Sequence, residues 1–238
     1  MGLRRIIKNW IADAVSEQYY GFNKRGRPME IEQMAYMIAT YESAKFFMDK
    51  MPLAENHIDK TSLLKFAISQ AKLDGLVLEF GVAGGKTITR IAGAVKQAVY
   101  GFDSFEGLPE DWTHFQRQGR FSRSGDLPRN LPDNVVLVKG WFNESLPAFI
   151  DEHPENVKFL HVDCDLYSSA KTVLNNLADQ IKPGTVILFD EYFNYPGWQQ
   201  HEFKAFNEFI EEHNVSFEYI GFASQHFSVA VRISDNGI

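Results

Sequence analysis

Two short stretches bring four carboxylates within reach of one another. HVDCDLY, residues 161–167, carries Asp163 and Asp165, and LFDEY, residues 188–192, carries Asp190 and Glu191. Each follows an apolar run of strand type, and in a parallel sheet both runs end at the same edge. Side chains two apart on a strand share a face, so Asp163 and Asp165 are expected side by side. Four carboxylates in one cleft repel strongly. Either some keep their protons, with raised pKa, or a cation neutralises them. The donors are hard oxygens with no His or Cys clearly completing a soft site, which favours Mg²⁺, with Ca²⁺ or Mn²⁺ as alternatives, over zinc. The competing account has one or two of these acids capping the helices that follow.

A second stretch, LEFGVAGGKT at residues 78–87, looks like a phosphate loop but has the wrong spacing. A Walker loop needs four residues between its first glycine and the Gly-Lys pair; Gly81 and Gly85 have three between them, and Phe80 stands where the first glycine belongs. Nor do Gly81, Gly84 and Gly85 make the dinucleotide fingerprint. What remains is a strand ending in Glu79 and a tight turn into a helix, whose amino end favours a carboxylate while Glu79 can bind an ammonium. Asp103 ends the next strand, about twenty residues on, where an acid accepts hydrogen bonds from ribose hydroxyls. Ammonium, carboxylate and ribose together describe S-adenosylmethionine. Trp141, after Gly140 at the end of NVVLVKGWF, either stacks on the adenine or belongs to the core.

The elements that must position these groups are read from hydrophobic period. Residues 1 to 74 read mostly as helix, with EIEQMAYMIATYESAKFFMDKM and DKTSLLKFAISQA recurring apolar at three and four, the latter capped by Asp59 or Thr61. From Leu76 short apolar strands alternate with amphipathic helices, the pattern of a parallel sheet covered on both faces. VSFEYIGF and HFSVAVRI close the chain as two strands joined by a loop short enough to require antiparallel pairing. The expected fold is α/β: a doubly wound, seven-stranded, Rossmann-like sheet with a C-terminal antiparallel hairpin, residues 75–238, preceded by a helical extension or lid, residues 1–74. MGLRRIIKNWIADAV could pack on the domain, on a second subunit, or on a membrane surface.

A net charge of −7 argues against a nucleic-acid partner and for a small molecule. One cysteine, Cys164, excludes an internal disulfide. No apolar run is long enough for a transmembrane segment and no secretory signal is legible, so a cytoplasmic location is expected. The apolar faces of the N-terminal helices, with Tyr19, Tyr20, Phe46 and Phe47, would suit a lid or a homodimer.

LEFGVAGGKT, FDSFEGLP, GWFNESLP, HVDCDLYSS and PGTVILFDEY, in this order and spacing, are similar to the macrocin-type (TylF-like) O-methyltransferases, over Gly75 to about Phe209. The resemblance implies a class I methyltransferase using S-adenosylmethionine and Mg²⁺ on a hydroxyl of a sugar or other small natural-product metabolite. It implies that Asp163, Asp190 and Glu191 hold the metal and that Asp165 is the general base. Glu79, Gly81, Gly84, Asp103, Ser104, Gly140, Trp141 and Asp163 would surround the methyl donor. The family usually has two consecutive Asp residues where this chain has Asp190 and Glu191. YFNYPGWQQHEF, with Tyr192, Trp198 and His201, is expected to line the acceptor pocket. Methyl transfer without a metal, a P-loop-like ATPase and a non-catalytic S-adenosylmethionine-binding protein are the other readings.

Overall fold

The computed structural model describes Trp10, residues 30–112 and residues 116–235. Apart from Trp10, the amphipathic stretch at the start of the sequence, with Tyr19 and Tyr20, lies outside the described residues.

In chain order the elements are α1 Ile31–Lys50, β1 Glu55–His57, α2 Lys60–Gln70, β2 Leu76–Phe80, α3 Lys86–Ala94, β3 Val99–Asp103, β4 Val135–Lys139, α4 Phe142–Glu152, β5 Val157–Val162, α5 Tyr167–Asn176, β6 Val186–Phe189, α6 Glu202–Glu212, β7 Ser216–Ala223 and β8 Val229–Ser234. A single 3₁₀ turn, Trp198–Gln200, precedes α6. The strands form one sheet in the order β1-β7-β8-β6-β5-β2-β3-β4. All neighbours are parallel except those of β8, which runs antiparallel to both β6 and β7. From β2 the chain moves outward through β3 to β4, then returns to place β5 on the other side of β2. The crevice beyond the carboxyl ends of β2 and β5 is therefore the switch point, where such sheets bind ligands.

Eight strands stand where the sequence pattern predicts seven. The extra one is β1, Glu-Asn-His, paired in parallel with Gly221, Phe222 and Ala223 of β7. Three polar residues carry no apolar period, so the strand is made by the exposed edge of β7 rather than by local preference.

Alternation along the strands splits the core into two layers. Leu76, Leu78 and Phe80 of β2 pack with α4, α5 and α6, while Val77 faces α2 and α3. Helix α1 joins the first layer: Phe46 lies edge-on to Trp198, Phe203 and Tyr219, and Phe47 packs on Phe222. Both phenylalanines, expected on a lid or subunit face, are spent on the chain's own core. No helix among the described residues is long and apolar enough to cross a membrane.

Asp59 caps α2 by accepting from the amides of Thr61 and Ser62 at 2.8 and 2.9 Å. These bonds hold its carboxyl below the usual range. The cap fixes the first turn of α2, which carries Lys60 to the crevice. Asp59→Ala should lower the melting temperature by about 2–4 °C for a chain this size, measurable by calorimetry.

Candidate active site

At the end of β2 the chain must turn against its neighbour. Gly81 has φ +93°, and a Cβ there would lie 1.7 Å from the carbonyl oxygen of Asp163. Only glycine fits, in both conformation and space. The turn continues through Ala83, at φ +44°, to Gly85, at φ +78°, which begins α3 with no side-chain cap. The first amides of α3 thus have no side chain to satisfy them. Asp103 clamps this turn from β3: Oδ2 accepts from the amides of Val82 and Ala83 at 2.9 and 2.7 Å, and Oδ1 from Phe105 at 2.7 Å. Three of its lone pairs are therefore committed to backbone before any ribose arrives. Ser104 receives the amide of Glu106 at 3.1 Å. Gly140, at φ +147°, follows β4, and Trp141 is the residue that caps the start of α4 with its backbone alone.

Glu79 is placed differently from the expectation. Its side chain is fully buried inside β2, hydrogen-bonded to Nδ1 of His161 on β5 at 3.0 Å, and it does not line the cleft. Burial raises the carboxyl's pKa against the pull of His161; burial lowers the imidazole's, and the carboxylate more than reverses it. The acid's rise is thus the work of burial, which its partner opposes, and the base's rise the work of the acid beside it. The role of ammonium ligand does not fit a carboxylate already paired and closed off.

The carboxylates gather by a route the strand period does not describe. β5 stops at Val162, so Asp163 and Asp165 lie beyond it, and Asp165 adopts a left-handed φ of +61°. This turn, rather than alternation along a strand, brings Asp163 and Asp165 together with Glu191, one carboxylate oxygen from each lying within 4.8 Å of the others. Asp190 lines the same cleft and is bonded within the chain: Oδ2 accepts from Lys60 Nζ at 2.7 Å and Oδ1 from Ser228 Oγ at 2.9 Å. Glu191 Oε2 is buried with no partner. A residue the sequence reading missed holds the two strand ends in register. Buried Glu202, at the start of α6, accepts the amides of Cys164 at 3.3 Å and Glu191 at 3.1 Å. Nothing in its amphipathic helix pattern marks it, because its partners are backbone groups of distant strands.

Burial, then the charge of Asp190, pushes the carboxyls of Asp163 and Glu191 well up and that of Asp165 to about 7. Glu202 rises too, by burial and by the charges of Asp163 and Asp165. Burial also works to raise Asp190, but the charges of His161 and Lys60 hold it down. Lys60 in turn is held up by Asp190 against the effect of its partial burial. Hard oxygen donors, an unpartnered buried carboxylate oxygen and mutually raised pKa values are what a site for a divalent cation such as Mg²⁺ presents, so these residues fit one.

Loop and acids face one cleft of about 1350 Å³. Gly81, Gly84, Asp103, Ser104 and Trp141 line one part of it, and Asp163, Asp165, Asp190 and Glu191 another. The volume exceeds the roughly 300–1,000 Å³ of a single small-molecule pocket, leaving room for two molecules side by side. Of the expected acceptor residues, none lines it. Tyr192 is in the core, its hydroxyl 2.7 Å from that of Tyr219. Trp198 is buried against Phe46 and Phe203. His201 lies behind Tyr195, ring centroids 6.1 Å apart, and burial lowers its pKa. The chain turns inward after β6, with the Tyr192 amide bonded to the Phe227 carbonyl. Tyr195, Pro196, Phe227, Trp112 and Tyr36 form the apolar wall instead.

Residues 78–192 match the family model described as a methyltransferase domain. The matched stretch is just under half of the chain. It contains the glycine turn, Asp103 and all four acids, and Lys60 and Glu202 lie outside it. The chain is 27% identical over 155 residues to an 8-demethyl-8-(2,3-dimethoxy-alpha-L-rhamnosyl)-tetracenomycin-C 4'-O-methyltransferase of Streptomyces olivaceus, covering 54% of this chain and 58% of that one. It is 28% identical over 146 residues to a demethyldecarbamoylnovobiocin O-methyltransferase of Streptomyces niveus, covering 51% and 54%. The chain thus spans just over half the length of these curated relatives. The crystal structure of a calicheamicin methyltransferase shares the fold, with a TM-score of 0.61 at 20% identity, over 84% of this chain and 93% of that one.

Two outcomes follow from this arrangement. Gly81→Ala should cost about 3 kcal/mol or more, because backbone rather than a flexible side chain must move; an unchanged melting temperature would contradict the packing of Gly81 on Asp163. Raised carboxyl pKa values mean that the folded protein binds more protons than the unfolded chain, so stability is full below the unfolded values, near 4, and falls as pH rises through about 7. Cation-free protein should therefore melt progressively lower between pH 5 and pH 8, roughly, with Mg²⁺ flattening that slope.

Proposed function

We propose that the protein is an S-adenosylmethionine-dependent O-methyltransferase that acts, with Mg²⁺, on a hydroxyl of a sugar or other small natural-product metabolite. The observation that carries this reading is one cleft holding both an uncapped glycine turn at the switch point and, beside it, the convergent Asp163, Asp165 and Glu191. The tetracenomycin relative, whose name specifies a rhamnosyl compound and a 4'-O-methyl transfer, supports a sugar hydroxyl as acceptor.

Bound S-adenosylmethionine supplies an electrophilic methyl group on a sulfonium. The amino end of α3, with Gly81 and Gly84, receives its carboxylate. Asp163, at the rim of the same turn, replaces Glu79 as the acid nearest an ammonium. Asp103 keeps the turn in shape and has one lone-pair direction left for a ribose hydroxyl, with Ser104 and Trp141 farther along the same wall. Asp163 and Glu191 would hold a divalent cation, which lowers the pKa of a hydroxyl bound to it. Asp165, the third corner of the trio, takes the hydroxyl proton as the oxygen bonds to the methyl carbon and the carbon–sulfur electron pair returns to sulfur. Tyr195, Trp112 and Phe227 exclude water and orient the acceptor, and orientation accounts for much of the rate.

S-adenosylhomocysteine at about a hundred times its dissociation constant should stabilise the protein by about 2.7 kcal/mol, read as a rise in melting temperature, with a further rise on adding Mg²⁺. A response to ATP and none to S-adenosylhomocysteine would overturn the reading. Asp165→Asn should reduce turnover by about a hundredfold or more while S-adenosylhomocysteine still binds. Full activity of that variant removes Asp165 from proton transfer, and full wild-type activity in chelator removes the cation.

A further inference from the structure

Between β3 and β4 the chain leaves the sheet, and the later part of this loop returns across the glycine turn. A Cβ at Gly85 would lie 2.7 Å from Leu131 Cδ2 and 3.2 Å from Pro128 Cβ, so the loop is packed directly on the residue that begins α3. Its course is pinned at two further points. The carbonyl of Phe105, a buried residue at φ +60°, accepts the amides of Arg123 and Gly125 at 3.0 and 2.9 Å. A large side chain keeps such a left-handed conformation only where its surroundings over-determine it. Lys139 Nζ, at the end of β4, donates to the Gly125 carbonyl at 2.7 Å.

The arginines of this loop have different fates. Arg117 pairs with Asp111 at 3.1 Å, Arg120 lies over the ring of Phe121, and Arg129 is exposed. Arg123 is half-buried, donates from Nε to the Asp126 carbonyl at 3.1 Å, and pairs with no acid among the described residues. A Cβ at Gly84 would touch its Nη1, 3.9 Å away, one residue before the uncapped start of α3. A guanidinium with both terminal nitrogens uncommitted thus stands beside helix amides that no side chain caps, and the two add positive charge at one point.

Resting on the S-adenosylmethionine reading above, we propose that Arg123 is the counter-ion of the methyl donor's carboxylate, reaching it across the glycine turn. The amino end of α3 offers amides on one side of that carboxylate, and Arg123 offers a planar fork of charge-assisted donors on the other. The zwitterionic end of the donor then meets both its opposites, Asp163 toward the ammonium and Arg123 toward the carboxylate. Lys86, the other cation near the turn, is exposed, so water and salt screen its charge. The loop that carries Arg123 also brings Trp112 and Phe121 to the cleft. The contact that holds the donor therefore also steadies the wall along which the acceptor lies.

The test is calorimetric binding of two ligands to wild type, R123M, R123K and K86M. One ligand is S-adenosylhomocysteine; the other is its decarboxylated analogue, which keeps the adenosine, the sulfur and the ammonium. R123M should bind S-adenosylhomocysteine about ten- to a hundredfold more weakly than wild type, the worth of a hydrogen bond to a charged group, yet bind the analogue within about threefold of wild type. R123K keeps the charge without the fork and should fall between the two. K86M should leave both affinities within about threefold. If R123M does not fold, R123Q takes its place with the same expected discrimination. An equal loss for both ligands in the Arg123 variants means a disturbed turn rather than a lost counter-ion and overturns the inference. No loss for either ligand overturns it too, as does a carboxylate-specific loss confined to K86M. Failure of S-adenosylhomocysteine to bind wild type overturns the methyltransferase reading itself, whereas equal binding to wild type and R123M overturns only the role of Arg123.

Discussion

Repulsion among buried carboxylates is the constraint around which this molecule is arranged. Asp163, Asp165, Asp190, Glu191 and Glu202 converge where β5 and β6 end, in a region that water does not fully reach. Such a group of charges would push the strand ends apart unless each acid found a distinct answer. Glu202 spends its oxygens on two amides, and Asp190 is matched by Lys60 and Ser228. Asp163, Asp165 and Glu191 are left facing the cleft, their proton affinities raised by the crowding itself. The chemistry available at the site is the residue of this partition.

The glycine turn and the acids are parts of one construction. Gly81 must pass within van der Waals reach of the Asp163 carbonyl because β2 and β5 are neighbours at the switch point. The turn that receives a ligand's carboxylate is thereby pressed against the turn that carries Asp163 and Asp165. A donor seated on the first and an acceptor held at the second are brought together by the sheet, with no separate device for alignment. Asp103 locks the first turn with three backbone bonds, and the left-handed Asp165 bends the second.

What could be read in the sequence was whatever follows from period and from strand ends. The α/β alternation, the helices at 31–50 and 60–70, the Asp59 cap and the gathering of acids at one sheet edge all rest on local pattern. The rest depends on partners far away in the chain. β1 exists because β7 offers it an edge; Glu79 is neutralised by His161, 82 residues on. Asp190 and Glu191 look equivalent in sequence, and what separates them is the pairing of Asp190 with Lys60, 130 residues earlier, and Ser228, 38 residues later. The aromatic residues of 192–201 read as a pocket wall because they follow a strand end, but the chain folds back on itself and buries Tyr192 and Trp198.

β1 has a consequence of another kind. Without it, the long edge of β7 would present unpaired amides and carbonyls to any passing chain, the usual route to strand addition and aggregation. Three residues with a glutamate and a histidine among them end the sheet in a rim too short and too polar to be extended. The segment before residue 75 thus guards the fold's solubility as well as contributing Lys60, and a domain excised at that point would expose a raw sheet edge.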